Sequence, residues 1–106
     1  MYELRFSIEF DRWLVSLRDV NARSRIVARL KIVAHGHFGD CSSVGQGVYE
    51  LRIHYGPGYR LYYCRVGETV YFFLNGGDKS SQAGDISKAI EMADNIRGKR
   101  DGLRGF

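Results

Sequence analysis

Between Val48 and Asn75 the chain reads VYELRIHYGPGYRLYYCRVGETVYFFLN, with apolar and polar residues alternating at a period of two. That period marks half-buried strands, because successive strand side chains point to opposite faces. Gly56-Pro57-Gly58 and Gly67-Glu68 interrupt it, so the stretch predicts three consecutive antiparallel strands joined by two hairpins. With a three-residue loop at Gly56-Pro57-Gly58, Tyr55 faces Tyr59, His54 faces Arg60, Arg52 faces Tyr62 and Glu50 faces Cys64. Leu51, Ile53, Tyr55, Tyr59, Leu61 and Tyr63 then share one apolar face. A two-residue turn at Gly67-Glu68 adds Val70, Phe72 and Leu74 to that face. It places Tyr71, Phe73 and Asn75 on the other, among Arg52, His54 and Arg60.

The flanking segments switch to helical spacing. Tyr2, Leu4 and Phe6 alternate with charged residues as a short strand would. Ser7 can cap a first helix that carries Phe10, Trp13, Leu14 and Leu17 on one face. Asn21 can cap a second, with Ala22, Ile26, Leu30 and Val33 inward; Arg23, Arg25, Arg29 and Lys31 are read as its wet face. Gly36 ends that helix as a left-handed cap. His35 to Gly47 is Gly- and Ser-rich and reads as a loop. After Gly76-Gly77-Asp78, Ser80 or Ser81 can cap a last helix with Ile86, Ala89, Ile90, Ala93 and Ile96 inward and Gly98 as its stop. The fold class is therefore α+β, in the order β-α-α-β-β-β-α, with the first two helices packed on the apolar face of an antiparallel sheet. Residues 1–98 form one domain, and 99–106 a basic, glycine-rich tail expected to be mobile or loosely docked.

The chain has 106 residues, of which 44% are hydrophobic, which suits one domain with one core and argues against disorder. A formal net charge of +4 is compatible with a polyanionic partner and decides little alone. Cys41 and Cys64 are the only cysteines and form no metal-binding or disulfide pattern, so both are read as reduced thiols. No stretch resembles a signal peptide or is long and apolar enough to span a bilayer. A cytoplasmic protein with no membrane partner is the expectation.

Candidate chemistry lies on the polar face of the strands. Arg52, His54 and Arg60 project from one side, and Lys79 follows the third strand beside a helix N-terminus whose free N–H groups favour an anion. Tyr62, Tyr71 and Phe73 offer rings on that side for base stacking. Arginines for phosphate, rings for bases and an imidazole describe a single-stranded RNA site. They also suit cleavage: a 2′-hydroxyl needs a base, the phosphorane needs positive charge and the departing 5′-oxygen needs an acid. That route requires no metal or other cofactor, and the sequence offers no carboxylate cluster or zinc spacing. Taken singly, each residue also has an ordinary reading as a solvated or partly covered sheet position. The cluster carries more information than its members.

At ELRIHYGPGYRLYY and NGGDKSSQAGDISKA the chain resembles the addiction-module killer proteins, the HigB-like branch of the RelE/ParE toxin superfamily. The resemblance runs from FSIEFDRWLVSLRD through the HFGD loop to the last helix, and LRIHYGPGYR and GGDKSSQ are its most specific pieces. It implies the toxin of a type II toxin–antitoxin pair, neutralised by a helix-turn-helix antitoxin through which the complex binds operator DNA. RelE-type members are mRNA endoribonucleases, often acting on the ribosome, with catalytic sets of mainly basic residues on the sheet. Arg60 matches the family's phosphate-contacting arginine, Arg52 a basic position on the preceding strand, and Lys79 the basic residue after the last strand. His54 is the candidate for proton transfer. The last helix lacks the terminal Tyr and the Asp-Tyr-His run of some RelE-like nucleases, which leaves the general base open. A ParE-like gyrase inhibitor and a non-catalytic phage-derived module are the alternative readings.

Overall fold

The computed structural model describes the backbone of residues 1–104 and the side chains of residues 1–98. Elements follow in the order β1 (Glu3–Phe6), α1 (Ile8–Ser16), α2 (Val20–Ala34), β2 (Cys41–Gly45), β3 (Val48–Ile53), β4 (Tyr59–Arg65), β5 (Val70–Asp78), a 3₁₀ turn (Lys79–Ser81) and α3 (Gln82–Arg104). The five strands form one sheet in the order β1-β5-β4-β3-β2, with β1 parallel to β5 and the other pairs antiparallel. The α+β class and the expected elements are present, with one strand added.

That strand is β2, inside the segment read as a loop. Its cue is Gly45-Gln46-Gly47: Gln46 and Gly47 have φ of 51° and 77°, the left-handed pair that a tight hairpin into Val48 requires. Cys41 pairs with Leu51 and Ser42 with Glu50.

Helix ends follow from local chemistry. Ser7 Oγ accepts a hydrogen bond from Phe10 N at 2.9 Å and starts α1 as expected. The cap of α2 is Asp19, not Asn21; its carboxylate accepts from Asn21 N and Ala22 N. Gly36, at φ 97°, follows α2 in the left-handed conformation that terminates it. Gly98 does not stop α3, whose backbone runs on through residues 99–104 of the segment read as a tail; its last two residues lie outside the described residues.

Two cores flank the sheet. On one side Phe10, Ala22, Ile26, Leu30 and Val33 of α1 and α2 pack on Leu51, Ile53, Tyr59, Leu61, Tyr63 and Phe73. On the other, Ala89 and Ala93 of α3 pack on Val48, Tyr62, Cys64 and Leu74, with Phe72, Ile86, Ile90 and Ile96 at the margin. The polar-reading face of β3 and β4 is thus half covered by a helix.

Both hairpins differ from the expected register, with unequal consequences. At the first, Ile53 pairs with Tyr59 and Arg52 with Arg60, so the loop has five residues and the register moves by two. A shift of two leaves every side chain on its face. At the second, Val66 N donates to Val70 O, Arg65 pairs with Tyr71 and Tyr63 with Phe73; the loop has three residues, not two. That single extra residue inverts the start of β5. Tyr71 and Phe73 pack beneath α1 and α2, while Phe72 and Leu74 face α3. An irregularity opposite Tyr62 and Tyr63 then restores the expected side, and Asn75 pairs with Tyr62.

Candidate functional site

Arg52 and Arg60 face each other across β3 and β4, and the buried carboxylate of Glu50 joins them. Glu50 Oε2 accepts from Arg52 Nη1 at 2.9 Å, and its Oε1 accepts from Gln82 Nε2 at 2.8 Å. Arg60 Nε also lies 2.9 Å from Oε1, as an ion pair whose N–H is not aligned for a hydrogen bond. A carboxylate this buried is retained because two guanidiniums and an amide replace its water.

The chain of alternating charge continues outward. Arg52 Nη2 donates to Asp40 Oδ1 at 2.7 Å, Arg52 Nε sits 3.2 Å from both Asp40 oxygens, and Arg52 Nη1 reaches Ser42 Oγ at 3.1 Å. Asp40 Oδ2 lies 2.5 Å from His54 Nε2. Hydrogen bonds from Arg52 and then His54 hold the Asp40 carboxyl well below the usual carboxylate range. Asp40, followed by Glu50, raises Arg52 further above its ordinary value. Asp40 sits opposite Arg52 because β2 begins directly after it, and Arg52 N donates to Asp40 O at 2.9 Å.

The structure joins part of the predicted cluster, Arg52 and Arg60 through Glu50 and Arg52 and His54 through Asp40, and its members differ. Arg52, His54 and Arg60 emerge on one side of the sheet, His54 just beyond the end of β3 rather than opposite Arg60. Every nitrogen of the Arg52 guanidinium already has an oxygen partner. Arg60 keeps Nη2 uncommitted among the described residues, its Nη1 donating to Gly58 O at 3.3 Å. Lys79 is exposed and makes no ion pair among the described residues. A methyl group built on Gly58 would lie 3.7 Å from Arg60 Nη1 and 3.9 Å from Lys79 Cβ, so these two cations flank the same small turn. The free helix N-terminus expected beside Lys79 is instead capped by Asp78, whose carboxylate accepts from Ser80 N at 2.8 Å. The hydrogen bonds from Ser80 lower the Asp78 pKa.

The three rings assigned to base stacking are corrected by burial. Tyr62 and Phe73 are fully buried, Tyr62 under α3 and Phe73 under α1. Tyr71 packs edge-on against Tyr2, Phe38 and Tyr63 on the far side of the sheet. None shares an open surface with Arg60. Burial and then the negative charge of Glu50 push the Tyr62 phenol well up, so it stays neutral.

Sequence reading missed Asp40, Glu50 and Arg29. Arg29 is not a solvated helix charge: its Nη1 donates to Arg52 O and its Nη2 to Phe38 O, both at 2.8 Å, fastening the 36–40 loop to β3. The visible cue for Glu50 was its place on the face of Arg52. Asp40 had no cue without β2.

The profile of the phage-derived protein Gp49-like family matches residues 12–97. The chain belongs to that family. An uncharacterized protein of Haemophilus influenzae is 39% identical to this Gp49-like chain over 94 residues, covering 89% of this chain and 95% of that protein. A mutant of E. coli toxin RelE in the free state is similar in structure, with TM-score 0.67 and 21% identity over 85% of this chain and 95% of that one. The intact E. coli RelBE toxin–antitoxin complex gives TM-score 0.62 at 22% identity, over 74% of this chain and 96% of that one. The fold is the RelE fold, as the sequence resemblance implied.

Proposed function

We propose that this Gp49-like chain is the toxin of a toxin–antitoxin pair and cleaves mRNA by attack of the RNA's own 2′-hydroxyl. What supports the reading is a RelE fold in which Arg60 and Lys79 flank one small turn, a buried Glu50 pairs with Arg60, and Asp40 joins exposed His54 to Arg52 on the neighbouring strand. Arg60 and Lys79 supply the positive charge that a pentacovalent phosphorane needs, and His54 is the group placed to move a proton. Arg52 shapes the site through Asp40 and Glu50 rather than offering a free fork to phosphate. Since the side chains supply charge and proton transfer, the route needs no metal.

Residues 1–98 form the toxin domain in this reading, with 99–106 as an appended basic tail. The partner is an antitoxin, for which the RelBE complex is the precedent in this fold; a helix-turn-helix antitoxin, bound to operator DNA, and ribosome-bound mRNA complete the proposal. A cytoplasmic site of action follows from the substrate. Among the described residues no helix is long and apolar enough to cross a membrane.

The test is induction of the wild-type chain and of Lys79→Ala, followed by mapping of transcript 5′ ends. Lys79 is exposed, so its removal leaves the melting temperature unchanged; cleavage should fall by about a hundredfold. Intact transcripts with broken DNA after wild-type induction would replace this reading with gyrase inhibition.

A further inference from the structure

His54 stands beyond the last residue of β3, largely exposed, and among the described residues its partner is a single carboxylate. A ring in that position has free rotation about both side-chain torsions unless something restrains it, and an unrestrained acid or base is rarely aligned with its substrate. Asp40 is the restraint. One of its oxygens meets His54 Nε2 at 2.5 Å, and the other takes Arg52 Nη2 at 2.7 Å.

The carboxylate is itself delivered by a braced segment. Phe38 stacks on Tyr63 with ring centroids 5.6 Å apart, fixing the loop to the core. Arg29 donates to Phe38 O and Arg52 O, and Arg52 N donates to Asp40 O. Gly39 adopts φ 68°, and a methyl group there would lie 2.7 Å from Arg29 Nη2, so backbone and guanidinium are closely fitted beside Asp40. Behind Arg52 stands Glu50, nine-tenths or more buried. The series Glu50–Arg52–Asp40–His54 therefore runs from the sheet interior to the open edge, each link a charge-assisted contact.

We propose that Asp40 is a positioning residue for this site, holding the His54 imidazole by Nε2 so that Nδ1 faces the substrate. The inference rests on the ribonuclease reading, in which His54 moves the proton. Asp40 does not touch RNA; it acts through His54, and Arg52 serves as the strut between Asp40 and the interior.

The experiment compares wild type, Asp40→Ala and Asp40→Glu on mRNA bound to purified ribosomes, with an independent ¹H–¹⁵N measurement of the His54 imidazole. Asp40→Ala should lower kcat about tenfold to a hundredfold with KM nearly unchanged, since general acid–base catalysis contributes about that much or more. Asp40→Glu, with the same charge on a longer stem, should recover part of the loss. In the spectra, the Nε2-bound proton of His54 should be resolved and slow to exchange in wild type and lost in Asp40→Ala. Cleavage by Asp40→Ala equal to or faster than wild type would overturn the proposal, the faster case meaning that Asp40 competes with phosphate for Arg52. An imidazole proton unchanged by the substitution would overturn it too. If wild type cleaves no RNA, the ribonuclease reading fails, and the imidazole spectra alone then decide whether Asp40 fixes His54.

Discussion

One face of β3 and β4 has two ends that share the same pleat and differ in everything else. At one end Val48, Tyr62 and Cys64 lie under Ala89 and Ala93 of α3 and are fully buried. At the other, Glu50, Arg52 and Arg60 lie beyond the cover of that helix's apolar stripe, and the face ends at exposed His54. Pleat parity puts these residues on one side, but only the position of α3 determines which become core and which become site. The dry end is held by shape and excluded water. The charged end is held by alternating carboxylates and cations, whose strength depends on every partner being present.

The comparison can be broken first at its dry end. Leu74→Ala should lower stability by about 2–5 kcal/mol, read from chemical denaturation, because a fully buried leucine leaves a cavity that neighbours fill only in part. A loss below about 1 kcal/mol would mean that α3 packs loosely. Next comes the joint between the ends. Glu50→Gln removes the carboxylate that both guanidiniums share and should lower stability by about 3 kcal/mol, with RNA cleavage falling more than the stability loss explains. Arg60→Ala is a poorer test of the chemistry, since Arg60 is paired with that carboxylate and its removal disturbs folding as well.

Two smaller effects sharpen the contrast. Tyr62→Phe should change stability by no more than about 1 kcal/mol, because the buried hydroxyl has no aligned partner among the described residues. A larger loss would show that the hydroxyl hydrogen-bonds the nearby Glu50 carboxylate. The smallest effect is in pH. Asp40 has a depressed native pKa, so its contribution is present above the unfolded value of about 3.9 and is lost as pH falls through the native one. Denaturation midpoints for wild type should therefore fall more steeply below about pH 4 than those of Asp40→Ala. Parallel acid limbs would remove Asp40 from the account.

The first hairpin was legible despite a wrong register, because the error was two residues and faces repeat every two. The second was misread by one residue, and that sent Tyr71 and Phe73 to the wrong face. Nothing in Gly67-Glu68-Thr69 distinguishes a two-residue loop from a three-residue one by composition alone. The sides from which Arg52 and Arg60 emerge were legible because parity sufficed. Asp40 was not, because it reaches Arg52 through the pairing of a Ser-rich edge strand that has little strand propensity of its own.

Local sequence fixed the helices, their caps at Ser7 and Gly36, the strand alternation and the side from which the cations emerge. These are properties of a few consecutive residues, set by sterics and hydrogen-bond geometry. The tertiary structure alone decided that β2 joins the sheet, that α3 seals Tyr62, and that Asp40 closes on His54. Each of those depends on segments far apart in the chain competing to bury the same surface, and no local pattern records the winner.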